Sequence, residues 1–241
     1  MTQIHPSPEG TASEAVLQEA LPRTEWANGS AMMRHYYDHE WGLPVVSEAG
    51  LYERVCLEGF QAGLSWATIL ARRDAFRRAF AAFDPEAVAD FSDDDVERLV
   101  EDASIIRSRP KILAAIGNAR ATLKLRAATN TDPLTRGFVL PLWGGGELEI
   151  VDGLPALIWS HAPEVTPVPE SIAEVPTQST ESRALSKRLK ERGFRFVGPT
   201  TAYALMEAVG MVDTHWVGSH KRGASRVYSP EGRRREFVRL T

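Results

Sequence analysis

The sequence predicts an all-α domain interrupted by one short β-hairpin. Three observations carry this. From Ser30 onward apolar residues recur at helical spacing, Ser, Asp and Pro stand where helices would begin, and glycines stand where they would stop. Only residues 129–153 abandon the pattern, with Gly137, Pro141, the run Gly144-Gly145-Gly146 and the alternating Glu147-Leu148-Glu149-Ile150, which read as a loop holding a hairpin.

Taken in order, residues 1–22 carry Pro6, Pro8, Gly10 and Pro22 around a possible short helix at 13–21, and form a loosely held N-terminal extension. Ser47 caps a helix through about Gln61, with Leu51, Val55, Cys56, Leu57 and Phe60 on its apolar stripe. Ser65 caps a helix predicted over 66–83. Asp84-Pro85 starts a short one, since proline suits the first helical position. Ser92 and Asp95 resemble a capping box for a helix toward Ala103, and Pro110 lies near the start of one reaching about Ala127. Residues 163–176 contain Pro163, Pro167, Pro169 and Pro176 and form an extended connector. The last two helices span 181–192, stopped by Gly193, and 199–209, stopped by Gly210.

At 241 residues and 43% hydrophobic composition, the chain can build a core without covalent staples. Its one cysteine, Cys56, rules out an internal disulfide and reads as a small core residue. No apolar run approaches the roughly 18 residues of a membrane span and no signal-peptide pattern opens the chain, so a cytosolic protein without membrane contact is expected. The net charge of −4 is unevenly spread: residues 183–241 hold 13 Lys and Arg against 5 Asp and Glu, a net +8, leaving −12 on residues 1–182. A basic C-terminal third suits a phosphate-binding face, and a solvated basic helix with a charged tail is the plainer alternative. The tail, residues 220–241 with Lys221, Arg222, Arg226 and Arg233-Arg234-Arg235, either adds DNA phosphate contacts or lies disordered in solvent.

Two segments carry chemistry. In Leu57-Glu58-Gly59-Phe60 a carboxylate borders a buried helical stripe, where an unpaired charge costs several kcal/mol or raises its pKa. It therefore has either a ligand or a structural partner such as backbone or arginine. Trp26, Tyr36, Tyr37, Trp41, Phe60 and Trp66 surround it in sequence. Flat rings that sandwich a base and a carboxylate that bonds its edge are the parts for holding an extruded nucleobase, although aromatic residues more often simply fill cores. The second segment is the turn between the last two helices, where backbone amides and a helix N-terminus can grip a phosphate. Gly193, Phe196, Gly198 and Thr200 are its candidate backbone-contacting positions.

The strings YYDHEWG (36–42), LEGFQAGLSW (57–66), IIRSRPKI (105–112), LSKRLKERGFRFVGPTTAY (185–203) and Gly210-Met211-Val212 resemble, in order, the bacterial 3-methyladenine DNA glycosylase I family. The resemblance runs from about Arg23 to Ser219, taken as the glycosylase domain, with 129–153 and both termini outside it. It implies a helix-hairpin-helix DNA glycosylase fold and a monomeric enzyme that flips 3-methyladenine from double-stranded DNA and hydrolyses its N-glycosidic bond, leaving an abasic site. No cofactor or obligate protein partner is implied. By the same resemblance Glu58 bonds the base, Tyr36 is a pocket tyrosine, Trp66 stacks on the base, and Trp26 and Trp41 are nearby pocket aromatics. Met33 stands where the family often has another pocket tyrosine, and either widens the range of alkylated purines admitted or packs the wall. A catalytically silent or altered-lesion DNA-binding homologue is the alternative.

Two departures matter. The family's structural zinc is held by Cys, His, His and Cys, and the matching positions are Thr24, Tyr37, His215 and Ser219, so no zinc is expected. His35, His39 and His220 do not restore the site, because residues two positions from Tyr37 face the other side of a helix. Second, Val212-Asp213-Thr214-His215 resembles the catalytic aspartate segment of endonuclease III. Asp213 is therefore either a catalytic carboxylate or a helix cap. The lyase amine of that enzyme corresponds to Thr200, so no strand cleavage is expected.

Overall fold

A computed structural model describes residues 21–239. The extension expected at 1–22 and its helix at 13–21 therefore fall almost wholly outside the described residues. The described helices are α1 (Ala31–His39), α2 (Glu48–Gln61), α3 (Trp66–Leu70), α4 (Arg73–Ala79), α5 (Pro85–Ala89), α6 (Asp93–Glu101), α7 (Arg109–Ala127), α8 (Leu154–Trp159), α9 (Thr180–Glu191) and α10 (Pro199–Ala208). Their starts follow the chemistry of the chain. Ser47, Ser65 and Asp84 accept from backbone amides in the first turns of α2, α3 and α5, and Ser92 with Asp95 closes a full capping box on α6.

Helix α2 is the axis of the molecule. Leu51, Tyr52, Val55, Cys56, Leu57 and Phe60 are all buried, so it is apolar on more than one face and needs neighbours around it. Helices α3, α7, α8 and α10 supply them. Cys56 is buried in this core. None of the described helices is long and apolar enough to cross a membrane.

Three expectations need correction. The single helix expected over 66–83 is broken between Leu70 and Arg73 and ends in a turn in which Ala81, Ala82 and Phe83 are all left-handed. Tertiary contacts override local propensity here. Arg73 and Arg77 pair with Glu40 and Glu53, and the turn stacks Phe83 on Phe80 with ring centroids 5.6 Å apart. Second, α8 was not anticipated. It is short and entirely buried, so it lacks the polar face that marks a helix in sequence, and the Trp159 indole donates to the Val45 carbonyl at 2.9 Å.

The third correction concerns the tail. The expected hairpin forms from β1 (Phe138–Pro141) and β2 (Glu147–Ile150), antiparallel, with Phe138 opposite Ile150 and Leu140 opposite Leu148. A further strand, β3 (Val238–Arg239), pairs with the other edge of β1 and gives the order β2-β1-β3. The C-terminal segment is thus packed on the domain through residue 239 and is not a solvated tail. Val227 and Tyr228 are buried, the Tyr228 hydroxyl donates to the carbonyls of Met211 and Pro163, and the Trp143 indole donates to the Arg233 carbonyl at 2.7 Å. The tail also covers an edge of β1 that would otherwise expose unpaired backbone. Replacing Tyr228 by Phe should lower stability by about 1–3 kcal/mol, because two carbonyls lose their donor. Urea unfolding measures this, and an unchanged midpoint would mean that the tail does not dock in solution.

Candidate active site

A cavity of about 580 Å³ opens beside the C-terminal end of α2. Its wall brings together residues from five parts of the chain: Trp26, Met33 and Tyr36 from the N-terminal turn and α1, Trp41 beyond it, Glu58 and Gln61 from α2, Trp66 from α3, and Ala204 and Glu207 from α10. Every residue expected to hold a base therefore lines one space. Tyr36 and Trp66 lie with ring centroids 5.3 Å apart, and Trp26 meets Trp41 edge to face at 5.3 Å. The first pair is tilted by 43° between ring planes, and all four rings also line the cavity.

Glu58 is 5% exposed, and its carboxyl makes no hydrogen bond with protein among the described residues. Arg54, one turn earlier, makes no hydrogen bond to it: Nη2 donates to Glu40 at 3.1 Å, and Nη1 is buried without a partner among the described residues. Burial alone would raise the Glu40 carboxyl, but hydrogen bonds from Arg73 and Arg54 hold it down at about 2. With Arg54 so engaged, burial and then the charge of Glu207 push the Glu58 carboxyl up to about 8, opposed by Arg54. Burial likewise raises Glu207 to about 7, opposed by a hydrogen bond from the Thr214 hydroxyl at 2.7 Å. Sequence reasoning missed Glu207 and Gln61. The signal for Glu207 was present, since Leu205-Met206-Glu207-Ala208 sets a carboxylate among apolar helical residues just as the α2 segment does.

The turn joining α9 to α10 stands against the same end of α2. Gly193 is left-handed at φ +92°, as a helix stop requires, and Gly198 is extended; the second left-handed residue is Phe196, at φ +56°. Phe196 lies so close to α2 that a Cβ added at Gly59 would meet the Phe196 Cβ at 3.2 Å, so glycine at 59 lets the turn approach. Asn118 of α7 clamps it from the other side, accepting from the Arg195 amide at 2.8 Å and donating to the Arg195 carbonyl. The Ser186 hydroxyl donates to Val197, and Gln178 donates to the Thr200 hydroxyl. The amides of Phe196, Val197, Gly198, Thr200 and Thr201 have no protein acceptor among the described residues.

The sequence pattern of the family described as Methyladenine glycosylase matches residues 26–140 and 148–222. The chain belongs to this family. It is 43% identical over 198 residues to DNA-3-methyladenine glycosylase 1 of Escherichia coli (strain K12), covering 82% of this chain and 95% of that protein. A crystal structure of 3-methyladenine DNA glycosylase I superposes with a TM-score of 0.72 at 36% identity, over 83% of this chain and 100% of that one. The Staphylococcus aureus enzyme, whose structure concerns 3-methyladenine recognition, gives 0.70 at 29% identity, over 82% and 96%. The fold is thus that of the methyladenine glycosylases, and the segment beyond residue 222 lies outside the family match.

At the positions where the resemblance implies a structural zinc, this chain has a donor set that does not fit the ion. Thr24 Oγ1 is buried without a hydrogen-bond partner, Tyr37 and Ser219 bond each other through their hydroxyls at 2.7 Å, and burial raises the Tyr37 phenol, which disfavours the phenolate. His215 Nδ1 lies 2.8 Å from Asp213 Oδ1. Zinc requires four converging thiolate, imidazole or carboxylate donors. No group of three or more His, Cys, Asp or Glu among the described residues is placed to hold a metal; His35 and His39 are exposed on α1, with rings 4.6 Å apart. What ties the two ends of the domain is a hydrogen-bonded and aromatic cluster. Arg23 pairs with Asp38, His220 Nε2 stands 3.0 Å from Asp38, and Tyr37 meets His215 edge to face at 5.3 Å.

Asp213 belongs to that cluster and does not line the cavity. One oxygen accepts from the His215 amide and faces its ring, and the other accepts from the Gly223 amide at 2.8 Å. No helix follows it, so it is not a cap either. It orients His215, which packs edge to face on Trp41 at 4.6 Å and comes so close to Gly42 that a Cβ there would lie 2.5 Å from the ring.

Two outcomes follow from this geometry. Replacing Tyr37 by Phe removes the bond to Ser219 and should cost about 1 kcal/mol in urea unfolding, with no dependence on added zinc or chelator. For Glu58, the unfolded carboxyl ionises near its ordinary 4.5 and the folded one near 8, so the folded protein retains a proton that the unfolded chain has lost. Stability attributable to this group therefore falls as pH rises through that window, and the cost is complete above about 8. The stability advantage of Glu58→Gln over wild type should be absent at pH 4 and grow to a few kcal/mol by pH 9, of order the shift times ~1.4 kcal/mol.

Proposed function

We propose that this chain is a monofunctional DNA glycosylase that hydrolyses the N-glycosidic bond of 3-methyladenine in double-stranded DNA, releasing the base and leaving an abasic site. The observation that carries this is the aromatic cavity with the unpartnered carboxyl of Glu58 in its wall. The relatives' names support the same reaction.

Each part has a task in this reading. Methylation at N3 gives adenine a positive charge and weakens its bond to the sugar, so the protein has mainly to select the charged base and hold it out of the helix. Trp66 and Tyr36 offer ring faces to the flipped purine, and Trp26, Trp41 and Met33 close the slot. Glu58 bonds the base edge, and its ionised form is favoured once a cation sits beside it. The free amides of the Phe196–Thr201 turn hold the DNA backbone without reading sequence. Gly193, Gly198 and Thr200 shape that grip. Thr200 stands where a lyase would need an amine, so the product strand stays intact.

The test is chromatography of bases released from methylated duplex DNA. Wild type should release 3-methyladenine, and Glu58→Gln should release it at least about 100-fold more slowly while still binding DNA. Folded wild-type protein that releases no methylated base would defeat the proposal, and borohydride trapping of a covalent DNA adduct would defeat its monofunctional part.

A further inference from the structure

The cavity contains a second carboxyl with no role in the reaction as so far described. Glu207 reaches the wall from α10, opposite the α2 side that carries Glu58. Its Oε1 is occupied by the Thr214 hydroxyl, and its other oxygen has no partner among the described residues. No cation in the wall balances the pair. From α2, Arg54 faces Glu58 but donates to Glu40; from α4, Arg73 also donates to Glu40; from α1 and α10 the titratable neighbours are the hydroxyls of Tyr36 and Tyr203, both of which burial raises beyond the neutral range. Two carboxyls facing one low-dielectric space, with Arg54 near one of them but no cation hydrogen-bonded to either, cannot both be ionised cheaply when that space is empty.

We infer that Glu207 is a second specificity-determining residue for the cationic base: with Glu58 it forms a carboxyl pair that retains a proton while the cavity is empty and gives it up to water when a positively charged purine enters. This rests on the glycosylase reading. A neutral adenine cannot repay the ionisation of both groups, whereas a cation between them can, so the pair separates the two bases by charge where shape alone separates them poorly. Glu207 does this partly through Glu58, whose ionisation it opposes in the empty site.

The experiment is the pH profile of kcat/KM for release of 3-methyladenine from methylated duplex DNA, measured for wild type, Glu207→Gln and Thr214→Val. Glutamine keeps the acceptor for Thr214 and removes the charge. In Glu207→Gln the acid limb should move to lower pH by about one unit, because Glu58 ionises more easily, and the alkaline plateau should fall about tenfold for want of the second charge. Thr214→Val, which loses the hydrogen bond favouring ionised Glu207, makes the doubly ionised pair costlier and should move the limb the opposite way, to higher pH, by less. Carboxyl NMR titration of Glu58 in both proteins reads the same coupling without turnover. A merely structural Glu207 would lower activity equally at every pH. Active wild type with superimposable profiles in the variants overturns the inference alone, and wild type that releases no base at any pH overturns both it and the glycosylase reading.

Discussion

The constraint on which the rest depends is the burial of α2 on several faces with a carboxyl left unpaired at its end. An apolar helix enclosed by neighbours is held to a single position, so Glu58 stands at a fixed point with little freedom to find a partner of its own. The nearby guanidinium that would neutralise it is engaged elsewhere, by Glu40. The site thereby stores unfavourable free energy that a cationic ligand relieves. Such a carboxyl is a poor choice for stability and a good one for selection, which is the usual relation between a functional group and the core that holds it.

Around that helix the molecule makes two tight approaches, and both depend on small residues. Phe196 can sit over α2 only because residue 59 has no side chain, and this brings the α9–α10 turn next to the end of α2 that carries Glu58. His215 can back Trp41 only because residue 42 is glycine. A side chain added at either point would push the turn away from α2 or His215 away from Trp41. Asn118 and Ser186 fix the turn with hydrogen bonds to its backbone, so its position does not rest on Phe196 alone.

The two ends of the domain are joined by dispersed contacts. This chain uses the Tyr37 to Ser219 bond, the Asp38 contacts with Arg23 and His220, and an aspartate that gathers His215 and Gly223. Beyond them the C-terminal segment runs back over the hairpin and adds a strand to it; of residues 129–153, expected outside the family resemblance, all but 141–147 fall within the family match. Each bond contributes little by itself, but the set is spread over many residues, and the tail adds apolar burial through Val227 and Tyr228 that a metal would not supply.

Much of this was legible in the chain. Ser47, Asp84, Ser92 and the glycines after α9 and α10 are local signals, because a capping bond or a left-handed stop is made within four residues, and those helices lie where the sequence places them. The pocket residues were legible for a different reason, a resemblance carried by ordered strings. What local chemistry could not state was the outcome of competition at a distance. The break after Leu70 follows from ion pairs to Glu40 and Glu53, α8 is invisible because it has no polar face, and the tail reads as solvated because the strand it pairs with, β1, is distant in sequence. The surroundings of Asp213 were not legible either: a carboxylate beside a histidine looks the same in sequence whether it points at a substrate or at the backbone of Gly223. Composition, caps and the family strings thus determined the helices and the identity of the cavity's residues. Only the tertiary structure decided that Glu58 goes unpaired, that Glu207 joins it and that the tail is part of the fold, because each is set by which groups a distant segment brings near and which it leaves without a partner.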